Sequence, residues 1–402
     1  MTQTTLPTPP RTQERPVAAP PGRPVERARV KVGGISNELV LHVTSAGFGA
    51  LGLVWLTYTK LLPLTGTIGF WLSWYAAFLV LLAAVSWTTL DRMAVTDRVV
   101  GALVTTAGVI LVACLVGIVA FTVVRGWDAL VHWNFYTQTT AFIGPDAPLD
   151  QGGMLAAMVG TLEQVAISVL LSVPLAIATA VYLSEVRGKL ARLVRTVVEA
   201  MSAVPTIVAG LFIYSLLILQ FGQERSGFAA SLALTVSMIP VVVTTAEVVL
   251  RLVPNGLREA SLALGTTQWQ TVWRVVLPTA RSGLVTAVLL GVARVIGETS
   301  PVLLVAGSTA EMNADPTHDP QVSLPLFVFN QMRLPLDQAI SRAFGAGVVL
   351  LVLVVVLFAL ARIVGGKPPG NVSRRKQRRM ALAAATTPSS SITAGAYQGD
   401  NS

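Results

Sequence analysis

Eight long apolar runs constrain the fold of this 402-residue chain more than any other feature. Each run reaches or exceeds the roughly 20 residues that an α-helix needs to cross a bilayer. A transmembrane β-barrel would show short alternating segments instead. We therefore predict an all-α integral membrane protein with eight spans, at 42–62, 70–90, 99–124, 155–184, 197–220, 228–250, 282–306 and 343–364.

The charge pattern predicts the orientation of these spans. Only 12% of the residues are charged, about half the share of a soluble domain. If the N-terminus is cytoplasmic, 23 of the 29 Lys and Arg residues fall in cytoplasmic segments and 5 in external ones. The positive-inside rule then places both termini in the cytoplasm. It also explains the net charge of +9 without nucleic-acid binding.

A polar insert at 252–281 interrupts the apolar pattern. Gly265 is placed to supply the positive φ that ends a first helix. Pro278 is placed at the start of the next membrane helix, where a missing N–H costs nothing. We expect a helix–turn–helix that lies outside the lipid and binds a soluble partner. The alternative is an amphipathic hairpin that lies on the lipid surface.

The insert resembles the EAA loop of the binding-protein-dependent ABC-importer permeases. In that family the loop forms the helices that dock into a separate ATPase subunit, so the resemblance implies a coupling role here. Ser261 departs from the second alanine of the family pattern. The residues that match it are Glu259, Ala260, Gly265, Leu277 and Pro278.

Two charges lie deep in the seventh run. Arg294 and Glu298 are four residues apart, so on a continuous helix they share a face and can pair. Intramembrane charges normally face a bundle interior or a pathway. We interpret them as lining the route of an anion; the alternative is a buried ion pair that only fixes helix packing.

The stretch RVIGETSP that contains these charges resembles the signature of the PstA-type permeases of phosphate importers. The resemblance implies inorganic phosphate as substrate, a bacterial cell-membrane location and alternating access. It also implies three partners: a PstC-like permease, a PstB-like ATPase dimer and a PstS-like phosphate-binding protein. The external segments 125–154 and 307–342 are candidates for docking the binding protein.

The chain itself shows no enzymatic or cofactor motif. A P-loop motif is absent from the sequence, because Gly188-Lys189 and Gly366-Lys367 are not followed by Ser or Thr. The resemblance implies that ATP and magnesium are bound by the partner ATPase. The single cysteine, Cys114, excludes an intramolecular disulfide.

The resemblance covers roughly 100–364 and suggests a division of the chain into four parts. These are a disordered basic tail (1–37), an N-terminal two-helix extension (38–98), a six-helix permease core of the MetI-like type (99–364) and a basic, low-complexity tail (365–402).

Proline and glycine within the runs mark candidate hinges at Pro205, Gly210 and Pro240. Proline can break a membrane helix where neighbours satisfy the freed backbone groups. A static kink is the alternative for each. Glu163, in the fourth run, is either a second pathway residue or, as we favour, a residue at the outer interface.

Three other functions compete with phosphate import. The chain could serve another oxyanion, such as sulfate or molybdate, with the same architecture. A secondary transporter or channel working alone would need neither an ATPase nor Glu259 and Gly265. A signalling role toward a sensor kinase would be an addition to transport.

Overall fold

The computed structural model describes residues 37–62 and 65–365, which form helices and no strand. The all-α prediction is confirmed for this part of the chain, and the two predicted tails lie almost entirely outside it. The helices are α1 (Asn37–Leu56), α2 (Thr67–Trp87), α3 (Arg92–Leu130), α4 (Asn134–Thr137), α5 (Leu155–Glu185), α6 (Lys189–Ala203), α7 (Thr206–Ile213), α8 (Gly227–Arg251), α9 (Asn255–Ala263), α10 (Gln268–Thr271), α11 (Leu277–Val295), α12 (Ser300–Val305), α13 (Leu324–Met332) and α14 (Asp337–Gly365).

Three short π-helical segments extend these helices: Thr57–Leu61 follows α1, Tyr214–Gln220 follows α7, and Val272–Val276 joins α10 to α11. Within the described residues, seven helices are long and apolar enough to cross a membrane. An eighth span results if α6 and the helix over Thr206–Gln220 are counted together. The predicted number of eight is therefore compatible with the structure.

The fifth predicted run is not one helix. It comprises α6 and α7, which are bent by 101° at the residues between them. Pro205 has no N–H to continue α6, and it drives the preceding residue out of the helical region. Val204 accordingly has φ −74° and ψ 129°.

The prediction of a continuous helix over 282–306 is wrong. Helix α11 ends at Val295, and α12 begins only at Ser300. Pro301 lies in the first turn of α12. Its ring would clash with the carbonyl group of Gly297 in an unbroken helix, which accounts for the interruption.

The chain divides into two compact units between Ala113 and Cys114, within α3. In the first unit, α1 and α2 form a packed pair, and the Trp74 indole N–H donates to the carbonyl oxygen of Gly47 at 3.2 Å. The second unit holds the remaining helices and every candidate site residue.

Helices α5, α8 and α11 form the centre of the second unit. Small buried residues let these helices approach closely, as is typical of membrane helix packing. The Ser168 hydroxyl of α5 donates to the carbonyl oxygen of Ser231 of α8 at 2.8 Å. At Gly291 of α11, an added Cβ would lie only 2.5 Å from a Val242 methyl group of α8.

Candidate functional site: a surface hairpin and a polar cavity

The polar insert forms a helical hairpin. Helix α9 begins after Pro254 and ends where Gly265 adopts φ +85°. This left-handed conformation is strained for a residue with a side chain and favours glycine. The N–H of Gly265 donates to the carbonyl oxygen of Leu262 at 2.9 Å. The role predicted for Gly265 at the end of the helix is confirmed.

Three hydroxyl groups close the turn of the hairpin. The Ser261 hydroxyl lies 2.8 Å from that of Thr266 and 3.0 Å from that of Thr271, and the last two are 3.0 Å apart. Thr267 caps α10, in a capping box with Gln270. The sequence pattern did not reveal this cluster, although Ser261 was noted as a departure from the family pattern.

The second arm of the hairpin continues into the membrane without a break. The helix runs from Gln268 to Val295, and Pro278 lies inside it. Proline removes one backbone donor and crowds the preceding turn. The π-helical segment Val272–Val276 widens that turn, with the Leu277 N–H donating to the Val272 carbonyl oxygen. Pro278 thus lies in the first turn of α11, as predicted, although α11 continues directly from the second arm of the hairpin.

The outer surface of the hairpin is apolar and exposed. Leu264 is 85% exposed, and the rings of Trp269 and Trp273 stack edge to face with their centroids 5.6 Å apart. Glu259 and Ala260 are also exposed. The two valines of the second arm, Val272 and Val276, are buried instead.

Arg258 ties the hairpin to the membrane helices. Its guanidinium group pairs with Glu185 at the end of α5 at 3.2 Å. It also donates to the carbonyl oxygens of Leu250 and Val253, each at 2.9 Å. These carbonyl groups lie in the last turn of α8 and just beyond it, where a helix leaves acceptors unpaired. No sequence motif pointed to this residue.

Arg294 lines a cavity of about 410 Å³. The walls come from the end of α6, from α7, from the middle of α8 and from Arg294 near the end of α11. All of the lining residues are described, and Arg294 is the one that carries a charge. Four hydroxyl residues share the wall with it: Ser202, Thr206, Ser237 and Thr244. A guanidinium group together with hydroxyl groups offers a positive charge and hydrogen-bond donors, which can bind an anion.

Glu298 does not pair with Arg294. It lies beyond the end of α11, half-buried, and its N–H donates to the Val295 carbonyl oxygen at 3.0 Å. Both residues are described, and no ion pair joins them. The four-residue spacing assumed a continuous helix, and the interruption before Pro301 removes that geometry.

Gly210 is placed where two backbones nearly touch. It lies inside α7, and an added Cβ would be 2.7 Å from the Cα atom of Pro301 and 2.9 Å from its carbonyl oxygen. The structure therefore gives Gly210 a packing role between α7 and α12. Its role as a hinge stays a prediction.

The two candidate hinge prolines differ in their surroundings. Pro205 stands at the bend between α6 and α7. Pro240 lies inside α8, which continues through it, and it lines the cavity of Arg294. The Thr244 hydroxyl donates to the Pro240 carbonyl oxygen at 2.8 Å. Both prolines therefore adjoin this cavity.

Two buried polar clusters were not predicted. The Gln321 amide donates to the Glu163 carboxylate at 2.5 Å, and the Gln164 amide donates to Gln321. Arg342 of α14 is 1% exposed and donates to three carbonyl groups of the loop at 147–151. In each cluster the residues that bond to each other are about 160 to 195 positions apart in the chain, so no local sequence pattern reveals the contact.

Two groups in the segments predicted to be external have shifted pKa values. Hydrogen bonds from the Thr317 hydroxyl and N–H, with smaller effects from His318, hold the pKa of the Asp315 carboxyl below its usual value. Burial raises the pKa of the Tyr136 phenol. Both groups belong to local turns and contact neither the hairpin nor the Arg294 cavity.

Comparison with known proteins defines the class. The family model for the binding-protein-dependent transport system inner membrane component matches residues 172–367. This range includes the whole hairpin and every residue that lines the Arg294 cavity.

Individual relatives narrow the class further than the family model does. The chain is 40% identical over 248 residues to phosphate transport system permease protein PstA 1 of Mycobacterium tuberculosis, covering 61% of this chain and 81% of the relative. It is 33% identical to the PstA protein of Haemophilus influenzae, with coverage of 58% and 81%. Among solved structures, it is similar to the inward-facing MetNI methionine ABC transporter (24% identity, 53% and 92% coverage, TM-score 0.42). The chain belongs to the family of binding-protein-dependent transport permeases, in the group of the PstA proteins.

Proposed function

We propose that this chain is a permease subunit of an ATP-driven importer that moves inorganic phosphate across the bacterial cell membrane. The observation that carries the proposal is the cavity in which Arg294 stands among four hydroxyl residues. The relatives named as phosphate transport permeases support the choice of substrate.

The chemistry of the cavity favours an oxyanion. An arginine guanidinium group presents paired donors that match phosphate oxygens. The hydroxyl groups of Ser202 and Thr206 belong to residues that line the same cavity, and a hydroxyl group can donate to a substrate oxygen. Glu298 stays a prediction for the pathway, because it does not line this cavity.

The bend at Pro205 and the close contact at Gly210 adjoin the same cavity. A change in the angle between α6 and α7 would alter its walls directly. We propose Pro205 and Pro240 as the positions at which alternating access opens and closes it. Gly210 would hold α7 against α12 during that change.

The hairpin is the proposed contact with the ATPase. Its exposed residues Glu259 and Ala260, together with the two tryptophans, form the docking surface. Leu277 and Pro278 connect it to α11, and Arg258 connects it to α5 and α8. Movement imposed on the hairpin would therefore reach three membrane helices. The proposed partners are a PstC-like permease, two PstB-like ATPases and a PstS-like binding protein.

The test is uptake of radiolabelled phosphate into liposomes that hold this chain with its partner permease, ATPase and binding protein. The proposal predicts uptake that requires ATP and is not reduced by excess sulfate or molybdate. Uptake without ATP would overturn the importer assignment in favour of a secondary transporter. Competition by sulfate or molybdate would instead redirect the substrate to another oxyanion.

A further inference from the structure

A second cavity, of about 550 Å³, is lined by an excess of arginine. It lies between the end of α5, the start of α6, the end of α8 and the first residues of α9. It shares no lining residue with the Arg294 cavity. Its walls, all within the described residues, contain no carboxylate but five arginines: Arg187, Arg192, Arg195, Arg251 and Arg258.

Nearby carboxylates neutralise only part of this charge. Glu247 is buried and pairs with Arg195 at 2.5 Å and with Arg251 at 2.6 Å. Glu185 pairs with Arg258. Arg187 and Arg192 form no ion pair with any described residue. Two carboxylates thus pair with three of the five guanidinium groups, and the exposed Arg187 and Arg192 are left to attract an anion.

The start of α6 adds donors to the same cavity. Gly188 precedes this 15-residue helix and lines the cavity. Glycine cannot cap the helix with a side chain, and no other side chain does so. The first N–H groups and the positive end of the helix dipole therefore favour a bound anion.

We propose that this cavity binds a phosphate group, either of inorganic phosphate or of an anionic phospholipid. Arginine forks match phosphate oxygens in pairs, and the unpaired Arg187 and Arg192 are the first candidates for that contact. The positive-inside distribution places the cavity on the cytoplasmic face, where imported phosphate would be released.

Binding at this site would reach the coupling hairpin. Arg258 lines the cavity and also holds α9 to the ends of α5 and α8. Occupancy would therefore change the environment of the hairpin and make it sensitive to cytoplasmic phosphate. This consequence rests on the proposed function, whereas the binding site itself does not.

The experiment measures equilibrium binding of radiolabelled inorganic phosphate to the assembled transporter in nanodiscs, without ATP or binding protein. Every sample carries Arg294→Gln, so that the translocation cavity does not contribute. The test variant adds Arg187→Gln and Arg192→Gln. The control adds Arg281→Gln instead, an exposed arginine that lines neither cavity.

We expect the double substitution to weaken phosphate binding at least about tenfold, the equivalent of one lost charged hydrogen bond, and the control to leave it unchanged. A parallel arm uses phosphatidylglycerol nanodiscs and counts retained lipid by native mass spectrometry. If only lipid retention depends on Arg187 and Arg192, the lipid headgroup is the source of the phosphate group.

Equal binding of phosphate and lipid by the Arg294→Gln parent and by the variant that adds Arg187→Gln and Arg192→Gln would overturn the proposal. The proposal would also be overturned if the variant lost the ATPase subunit on purification while its binding of phosphate and lipid was unchanged. Arg187 and Arg192 would then be residues that dock the ATPase. Phosphate uptake is not read in this experiment. Failure of the binding site and failure of the transport function are therefore separable.

Discussion

At the scale of single residues, glycine and proline determine where the membrane helices break and touch. Gly210 lets α7 approach Pro301 so closely that an added Cβ would lie 2.7 Å from its Cα atom. Pro205 stands at a 101° bend. Gly210 therefore allows close packing of two helices, and Pro205 interrupts a helix.

Gly210→Ala is expected to destabilise the assembled transporter. Overpacking of a tight contact costs about 1–3 kcal/mol, so the melting temperature measured in detergent should fall by several degrees. Gly117→Ala is the matched control, because Gly117 is also helical and an added Cβ there meets nothing within 4 Å. Equal melting temperatures for the two variants would contradict the packing role.

The sequence predicted single residues well where the cause is local. The positions of Pro205 and Gly265 follow from their own backbone preferences. The pairing of Arg294 with Glu298 failed because it assumed a helix that Pro301 interrupts. Arg195 was not linked to Glu247 because the two are 52 residues apart, and only the packing of α6 against α8 brings them together.

At the scale of elements, the hairpin and the loop at 147–151 depend on a few polar contacts. The hairpin turn needs the positive φ of Gly265 and the hydroxyl groups of Ser261, Thr266 and Thr271. The loop at 147–151 depends on the buried guanidinium group of Arg342.

Gly265→Ala should weaken coupling without loss of the permease fold. A side chain at φ +85° is strained by about 1–2 kcal/mol, so the turn should open or shift. ATP hydrolysis stimulated by the binding protein is the measurement, and we expect it to drop several-fold. Gly256→Ala is the control within the same hairpin, since Gly256 is helical and has open space. Stimulation as strong as in the control would argue against the turn as the coupling element.

Arg342→Met should loosen the loop at 147–151. The change removes the charged donor from the carbonyl oxygens of Ala147, Pro148 and Gln151, and a hydrogen bond to a charged group is worth about 1.5–3 kcal/mol. Hydrogen–deuterium exchange over 144–151 should become at least tenfold faster. Arg333→Met is the comparison, because Arg333 is exposed and its guanidinium group lies over the ring of Phe329. Unchanged exchange in Arg342→Met would show that the loop holds its shape without this residue.

At the scale of the whole molecule, the eight apolar runs predicted an all-α membrane protein, and the structure confirms the class. Two runs proved to be broken, since average hydropathy does not register a bend at Val204–Pro205 or an interruption at 296–299. The cavity of Arg294 was not predictable from sequence, because its walls come from four separate helices.

The orientation can be tested directly with single cysteines. In a Cys114→Ser background, Gln268→Cys should be labelled by a membrane-impermeant thiol reagent only after the cells are opened. Asp150→Cys should be labelled in intact cells. Both positions are exposed in the structure. The opposite pattern would reverse the predicted topology.

The central claim is that phosphate passes the Arg294 cavity and that the hairpin links this passage to ATP hydrolysis. The most direct measurement is phosphate uptake and ATP hydrolysis in the same reconstituted liposomes, with Arg294→Gln compared with wild type. We predict that the variant assembles with its partners and hydrolyses ATP but loses at least about 90% of its uptake, since a single charged contact is worth a factor of ten or more. Uptake at the wild-type rate would contradict this account.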